Sequence, residues 1–110
     1  MEYHSKGEYD KSIEINKDVL EKRTKTLGPM HLHTLESMHN LAIDYHSKGK
    51  YNKSIEINED LLEKRTETVG LMHPHTLQTM KNLALAYFAK GDYNESIEIN
   101  TVRIPPIHSY

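Results

Sequence analysis

Paired histidines are the side chains of this sequence with the most evident capacity for chemistry. Eight histidines occur in the chain, and four of them form two pairs with one residue between, His31 with His33 and His73 with His75. Imidazole nitrogens bind zinc, but a zinc site needs three or four ligands within tetrahedral reach. Neither pair has a cysteine beside it, because the chain contains none. A histidine metal site is therefore a weak alternative, and we expect no metal and no cofactor.

Catalytic arrangements are not evident in the sequence either. Serine, histidine and aspartate all occur, but they form no nucleophile–base motif, and there is no glycine-rich phosphate-binding loop. The lack of cysteine also excludes thiol catalysis and disulfides. We therefore expect a protein that is not an enzyme.

Composition narrows the classes of partner. The formal net charge is −2 with both signs mixed, which gives no electrostatic reason to expect nucleic acid or an anionic membrane as the partner. No apolar run approaches the roughly 18 residues that span a bilayer. The N-terminal sequence MEYHSKGEYD lacks the apolar core of a signal peptide. These features predict a cytoplasmic protein.

An internal repeat of 42 residues organises the chain. Residues 3–44 align with residues 45–86 without a gap, and 29 of the 42 positions are identical, far beyond chance similarity. A third copy begins at Tyr87 and follows the pattern to Asn100. Because armadillo, HEAT and WD40 repeats have similar periods, the period alone does not decide the fold.

The spacing of apolar residues within each copy predicts pairs of helices. Leu35, Met38, Leu41, Ala42 and Tyr45 recur at steps of three and four, which is helical and not strand spacing. The same pattern returns 42 residues later, and a second apolar stretch follows each one. We predict helices near residues 10–26, 33–47, 52–68 and 75–89, and no strand.

Glycines mark the expected ends of these helices. Gly7, Gly49 and Gly91 each follow the first helix of a pair, while Gly28 and Gly70 follow the second. Glycine adopts the left-handed conformation that commonly ends a helix. The short connections predict antiparallel helical hairpins.

The first-helix pattern resembles the tetratricopeptide signature, in which a bulky residue, a leucine, a small residue and a tyrosine are spaced W-x2-L-G-x2-Y. Here the runs are Met38-x2-Leu41-Ala42-x2-Tyr45 and Met80-x2-Leu83-Ala84-x2-Tyr87. The 42-residue length and the stretch VGLMHPHTLQTMKNLALAY are similar to the kinesin light chain subfamily. The resemblance implies an all-α, right-handed superhelix of antiparallel helix pairs, with close helix contacts at the two alanines.

The second helix of each copy departs from that family pattern. Its small residue is a serine in all three copies, and an asparagine replaces the aromatic residue expected four positions later. These serine–asparagine pairs are Ser12–Asn16, Ser54–Asn58 and Ser96–Asn100. The neighbouring isoleucines are expected to supply the packing instead.

The resemblance also implies a binding surface on the first helices. In the family, residues of the first helix that do not face its partner line a concave groove. The corresponding residues here are Glu36, His39, Asn40, Ile43 and His46, then Gln78, Lys81, Asn82, Leu85 and Phe88. The helical spacing of 36, 39, 43 and 46 independently places them on one face.

Asn40 and Asn82 are the sharpest candidates for peptide contact. An amide can both donate to and accept from a peptide backbone, and the family uses asparagine here to hold extended peptides; the alternative is an asparagine bonded locally or to water. Phe88 either anchors a partner or covers the next helix. Lys81 fits a solvated residue better than a carboxylate clamp, because Ile43 and Leu85 replace polar members of that clamp.

Three functions follow from this pattern. The first is a scaffold that binds a peptide or protein in the groove. The second is a structural spacer within a longer array, which the high identity of the copies favours. The third is the histidine metal site.

The array itself is expected to be incomplete. We divide it into a partial repeat at 1–28, a full repeat at 29–70, a partial repeat at 71–104 and a non-repeat tail at 105–110, where Pro105 and Pro106 oppose helix continuation. Arrays need about three repeats and polar end faces. Apolar residues at the first end, Ile13 and Leu20 among them, should be uncovered, which predicts head-to-tail self-association.

Overall fold

Five α-helices follow one another along the part of the chain that the structure describes, residues 6–103 of a computed structural model. They are α1 (Lys6–Leu27), α2 (Leu32–Lys48), α3 (Tyr51–Val69), α4 (Pro74–Lys90) and α5 (Tyr93–Glu98), which continues into a π-helical segment, Ile99–Arg103. No strand occurs in residues 6–103. The predicted all-α superhelix of antiparallel pairs is confirmed, and the expected tail at 105–110 lies outside the described residues.

Each helix packs mainly against its neighbours in the sequence, so the core is a row of small clusters rather than one centre. Ile13 of α1 meets Leu41 and Tyr45 of α2 in one cluster. Ile55 of α3 meets the α4 residues at the other end, and Ile99 joins it there. Such a row buries apolar surface between successive helices, as stacked repeats do.

The glycine turns confirm the predicted ends of α2 and α4. Gly49 and Gly91 have φ angles of 89° and 100°, a left-handed conformation that side chains with a Cβ rarely adopt. The Gly49 N–H donates to the carbonyl of His46 at 3.0 Å, and the next N–H donates to Tyr45 at 2.8 Å. These bonds satisfy carbonyls that the helix end would leave open.

The expected role of Gly7 as a helix end is wrong. The structure places it inside the first turn of α1, which begins at Lys6 rather than near residue 10. In the later copies the equivalent glycine reverses the chain between two packed helices. Among the described residues no helix precedes α1, so nothing there requires that reversal, and glycine is tolerated at a helix start. The other three predicted helices agree with α2, α3 and α4 to within one residue at each end.

The two alanines of the repeat signature are buried. Ala42 is 2% exposed and Ala84 is 3% exposed, and Ala84 belongs to the cluster around Ile55. Each of them also borders a cavity. Their burial agrees with a position between helices, and the close approach of the helices at these residues stays a prediction.

The apolar residues at the first end are partly covered, contrary to expectation. Ile13 is only 8% exposed, because α2 packs on it, and Leu20 is partly buried as well. The isoleucine left open on α1 is Ile15, which is 62% exposed. The sequence pattern placed both isoleucines in the packing without distinguishing the helix that each one faces.

Candidate functional site

The histidine pairs cap helices. The Nδ1 atoms of His31 and His73 accept hydrogen bonds of 3.0 Å from the backbone N–H groups of His33 and His75. Each capping histidine precedes the first residue of a helix, Leu32 of α2 or Pro74 of α4, and satisfies a donor that the helix leaves open. Within the described part of the chain, no three histidine or carboxylate side chains are grouped to hold a metal ion.

An arginine in the second helix of each pair joins one repeat to the next. Arg65 donates through Nη1 to the His75 carbonyl at 3.2 Å and to Thr79 Oγ1 at 2.9 Å. Arg23 makes the equivalent bonds to the carbonyl of residue 33 and to Ser37, both at 2.9 Å. Sequence reasoning missed this junction. Its signal was the recurrence of an arginine with a hydroxyl residue 14 positions further on.

The predicted groove residues lie on α2 and α4, and most are accessible. Three apolar side chains stay open to solvent although they belong to helices with buried opposite faces: Ile43 is 43% exposed, Leu85 is 49% and Phe88 is 58%. Asn40 and Lys81 are also exposed, whereas Asn82 and His46 are half-buried. The result is a surface that alternates apolar and amide groups along two neighbouring first helices.

A pocket between α2, α3 and α4 collects four of these predicted residues. Ile43, His46, Asn82 and Leu85 line a cavity of about 80 Å³. Its remaining lining comes from Ala42 and from the serine–asparagine pair of α3, Ser54 and Asn58. Because Ile43 and Leu85 are exposed and Ser54 and Asn58 are buried, the cavity runs from the groove surface into the interior. Asn40 is not part of its lining; we refer to this cavity as the α2–α4 pocket.

Phe88 belongs to a second depression, between α4 and α5. Lys81, Leu85, Phe88 and Asn100 are among its lining residues. The Phe88 ring also lies 5.1 Å from the ring of Tyr93, measured between centroids. His46 and Tyr51 repeat that contact at 5.1 Å in the preceding copy. The phenyl ring thus contacts the next helix and still exposes more than half of its surface.

His39 is more enclosed than its predicted place in the groove implies. It is half-buried, and its Nδ1 atom is buried without a hydrogen-bond partner. Burial lowers the pKa of His39 from its ordinary value of 6.5, and the positive field of Arg65 acts in the same direction. The surroundings of His39 therefore favour its neutral form.

Acidification should destabilise the fold through His39. Below about pH 6.5 the unfolded chain takes up a proton on this histidine that the folded chain resists, so the free energy of unfolding falls as the pH drops toward the lowered folded pKa. Above that range both states are neutral and the effect vanishes. Urea titrations between about pH 7.5 and 5 should give a flatter pH dependence for His39→Gln. The control Asn52→Gln, on the exposed face of α3, removes no titratable group and should keep the slope of the unmodified chain. An unchanged slope in His39→Gln would contradict this account.

No helix within residues 6–103 combines the length and apolarity needed to cross a membrane.

Comparison with known proteins agrees with this geometry. Models of the tetratricopeptide repeat match residues 3–67 and residues 76–100. Among solved structures, the chain is similar to a Podosopora anserina protein assigned as a kinesin light chain with nearly identical TPR-like repeats, and to a point variant of that protein. Each comparison gives 30% identity and a TM-score of 0.77 over 84% of this chain. This chain spans 44% of the length of those chains, and no curated protein matches it.

The family models and the observed fold indicate the same kind of repeat. One repeat model covers more than half of the residues, and the helix pairs, the glycine turns and the buried alanines agree with that repeat. Proteins built from such repeats are generally non-enzymatic modules for protein–protein interaction. This chain belongs to the tetratricopeptide repeat family, with repeats like those of kinesin light chains.

Proposed function

We propose that the chain binds an extended segment of a partner protein along the groove formed by α2 and α4. The observation that carries this proposal is the α2–α4 pocket, where Ile43 and Leu85 expose apolar surface beside the amide of Asn82. Exposed apolar groups that stay together on a helical surface are typical of interaction sites. A peptide laid there would place an apolar side chain against these residues and its backbone against the amides.

Asparagine amides are proposed to hold the peptide backbone. Asn40 and Asn82 occupy the same position of successive repeats; Asn40 is exposed and Asn82 is half-buried. Each amide can donate to a peptide carbonyl while accepting from a peptide N–H. Ile43, Leu85 and Phe88 would contribute apolar contacts, with His39, His46 and Lys81 at the edges. In this proposal the chain is a cytoplasmic binding module without catalytic activity, and its partner is neither a nucleic acid nor a membrane.

Peptide selection followed by substitution tests this function. A displayed library of random peptides should yield binders whose affinity, measured by fluorescence anisotropy, falls about three- to tenfold for Asn40→Ala and again for Asn82→Ala, because each loses a hydrogen bond of about 0.5–1.5 kcal/mol. Asn52→Ala, an exposed asparagine on α3, is the matched control and should bind normally. Failure to select any peptide, or equal loss in all three variants, would favour the structural spacer.

A second proposal concerns the two ends of the described array. Ile15 and Ile97 are 62% and 58% exposed, whereas their counterparts one repeat away are buried or partly buried between helices. We propose that copies of this chain associate by pairing α1 with α5, which covers both side chains. The helices α1 and α5 are each the second helix of a repeat. The contact between them would therefore differ from the packing of α2 on α3, which joins a first helix to a second helix. In a longer array, further repeats would pack on the same surfaces.

Sedimentation at several concentrations tests self-association. The average mass of the unmodified chain should rise with concentration, because an exposed isoleucine on each surface gains by burial. Ile15→Lys combined with Ile97→Lys should restore a monomer. Leu71→Lys, which removes a 46% exposed leucine from the connection between α3 and α4, should not. A concentration-independent monomer before substitution would end the proposal.

A further inference from the structure

Two arginines occupy the same place in successive repeats, but their surroundings differ in charge. Arg23 Nη1 lies 3.7 Å from Glu36 Oε1 on α2, and the Arg23 side chain is 35% exposed. Arg65 follows 42 positions later, and the residue 42 positions after Glu36 is Gln78, which is neutral. The second repeat therefore keeps the arginine and lacks the carboxylate that accompanies it in the first.

The arginine without a carboxylate is also the more buried of the two. Arg65 is 6% exposed, and among the residues that the structure describes no carboxylate lies within salt-bridge distance of it. Burial lowers the pKa of its guanidinium, and the more distant charge of Glu36 opposes that change only in part. A buried cation is costly unless a charge of opposite sign accompanies it, so a bound anion would stabilise this junction.

The hydrogen bonds of Arg65 involve one side of its guanidinium group. The bonds to the His75 carbonyl and to the Thr79 hydroxyl both come from Nη1. An arginine carries five N–H donors on three nitrogens, so these two bonds do not use the edge that Nε and Nη2 form. Two parallel N–H groups on such an edge match the two oxygens of a carboxylate.

A cavity beside Arg65 has room for a small ligand. Its volume of about 80 Å³ is well above the ~10–15 Å³ that accommodates one water. Leu35 and Arg65 are buried, whereas Leu32 and Val69 are 58% and 39% exposed, so the cavity opens to solvent at the last two. The remaining lining residues are Met30, Thr68 and His75. None of the seven is acidic and none belongs to the predicted groove; we refer to this cavity as the junction cavity.

We propose that the junction cavity binds a short-chain monocarboxylate, with the carboxylate on the Nε–Nη2 edge of Arg65 and the alkyl chain against Leu35 and Val69. Four of the seven lining residues are apolar, which suits an alkyl chain better than a fully hydrated anion. The ligand gives Arg65 the counter-charge that Glu36 gives to Arg23. No groove residue takes part, so this site is independent of peptide binding in the groove.

Nuclear magnetic resonance with sodium propionate as the probe tests this site. The ¹⁵N-labelled chain is titrated at constant ionic strength while the Nε–H signal of Arg65 and the backbone signals of Leu32 and Val69 are followed. We expect saturable shifts of all three, and at least about tenfold weaker binding of propionamide, which has a similar shape without the charge. Absence of a saturable shift, or an equal response to propionamide or to chloride, would overturn the assignment.

A substitution outside the cavity tests the role of the missing carboxylate. Gln78→Glu, at an exposed position, supplies from within the chain the charge that Glu36 supplies in the first repeat, and it should weaken propionate binding severalfold. Asn52→Glu is the matched control, because it adds the same charge at an exposed position of α3 roughly 20 Å along the helix from Arg65. It should keep the affinity of the unmodified chain. Unaltered propionate binding in Gln78→Glu would also overturn the assignment.

Arg65→Lys tests the geometry of the guanidinium, since it keeps the charge and loses the paired N–H groups. Propionate binding should weaken by about tenfold or more, because a lysine cannot reproduce two parallel hydrogen bonds. Urea unfolding establishes that the variant is folded, and a ligand that binds only the folded chain also raises the urea midpoint. Propionate should therefore raise the midpoint of the unmodified chain more than that of Arg65→Lys. Equal propionate affinity in the folded variant would overturn the assignment, and Gln78→Glu decides if the variant does not fold.

Discussion

Replacing Leu61 by alanine is expected to lower the free energy of unfolding by about 2–5 kcal/mol, the largest stability loss of any single change considered. Leu61 is fully buried on α3 and meets Leu35 and Met38 of α2, with Leu20 of α1 beside them. The Leu61 side chain therefore lies in a cluster to which three successive helices contribute. Removing it leaves a cavity that the rigid row of helices cannot easily close, so the loss should lie well above that of an ordinary surface change.

Urea unfolding followed by circular dichroism measures this effect, and Leu85→Ala is its matched control. The chemical change is the same, but Leu85 is 49% exposed in the groove, so its stability cost should stay within about 0.5 kcal/mol. Leu85→Ala should instead weaken peptide binding if the groove proposal holds. Equal destabilisation by the two substitutions would mean that the cluster of Leu35, Met38 and Leu61 does not determine the stability of the array.

The features that sequence reasoning predicted are those that depend on one helix at a time. The spacing of Leu35, Met38, Leu41 and Tyr45 defines a buried face within α2 alone, and the glycines end helices through their own backbone freedom. That is why the sequence predicts α2, α3 and α4 to within one residue at each end. The outward position of Ile43 and Leu85 follows from the same periodicity, so the exposed part of the candidate site was predictable.

The features that it missed depend on where two helices meet. Ile13 and Ile15 are both apolar, and only the position of α2 decides that the first is buried and the second exposed. By spacing, His39 is a groove residue, but in the structure it is half-buried and its Nδ1 atom is buried. The sequence shows that Ala86 stands where the preceding copy has Asp44. It does not show that Asp44 of α2 accepts a hydrogen bond from Ser12 of α1.

Arg65 illustrates how such a contact can matter for the whole array. Its side chain is 6% exposed, and within the described residues no carboxylate lies within salt-bridge distance of it. Burial lowers the pKa of the guanidinium from its ordinary value, opposed by the more distant charge of Glu36. Neutral acceptors on α4, the His75 carbonyl and the Thr79 hydroxyl, provide its hydrogen bonds instead. These two hydrogen bonds join α3 to the first turns of α4.

Replacing Arg65 by alanine should therefore cost about 2–4 kcal/mol, because hydrogen bonds to a charged group are lost together with the packing of a long stem. Arg23→Ala removes the equivalent hydrogen bonds one repeat earlier, together with a 3.7 Å ion pair to Glu36. There the side chain is 35% exposed and water can replace it, so the cost should be about 1 kcal/mol or less. Urea unfolding of both variants gives the comparison.

A third variant separates the two contributions of Arg65. Arg65→Met retains an apolar stem without the charge, so it should recover the packing while removing the hydrogen bonds to the His75 carbonyl and the Thr79 hydroxyl. If the hydrogen bonds fix the position of α4, Arg65→Met will remain less stable than the unmodified chain and its affinity for a selected peptide will fall, because Asn82 and Leu85 shift with the helix. If Arg65→Met is as stable as the unmodified chain and binds the peptide as well, only the packing of the stem matters. If Arg65→Ala costs no more stability than Arg23→Ala, the hydrogen bonds of Arg65 do not contribute to the stability of the array.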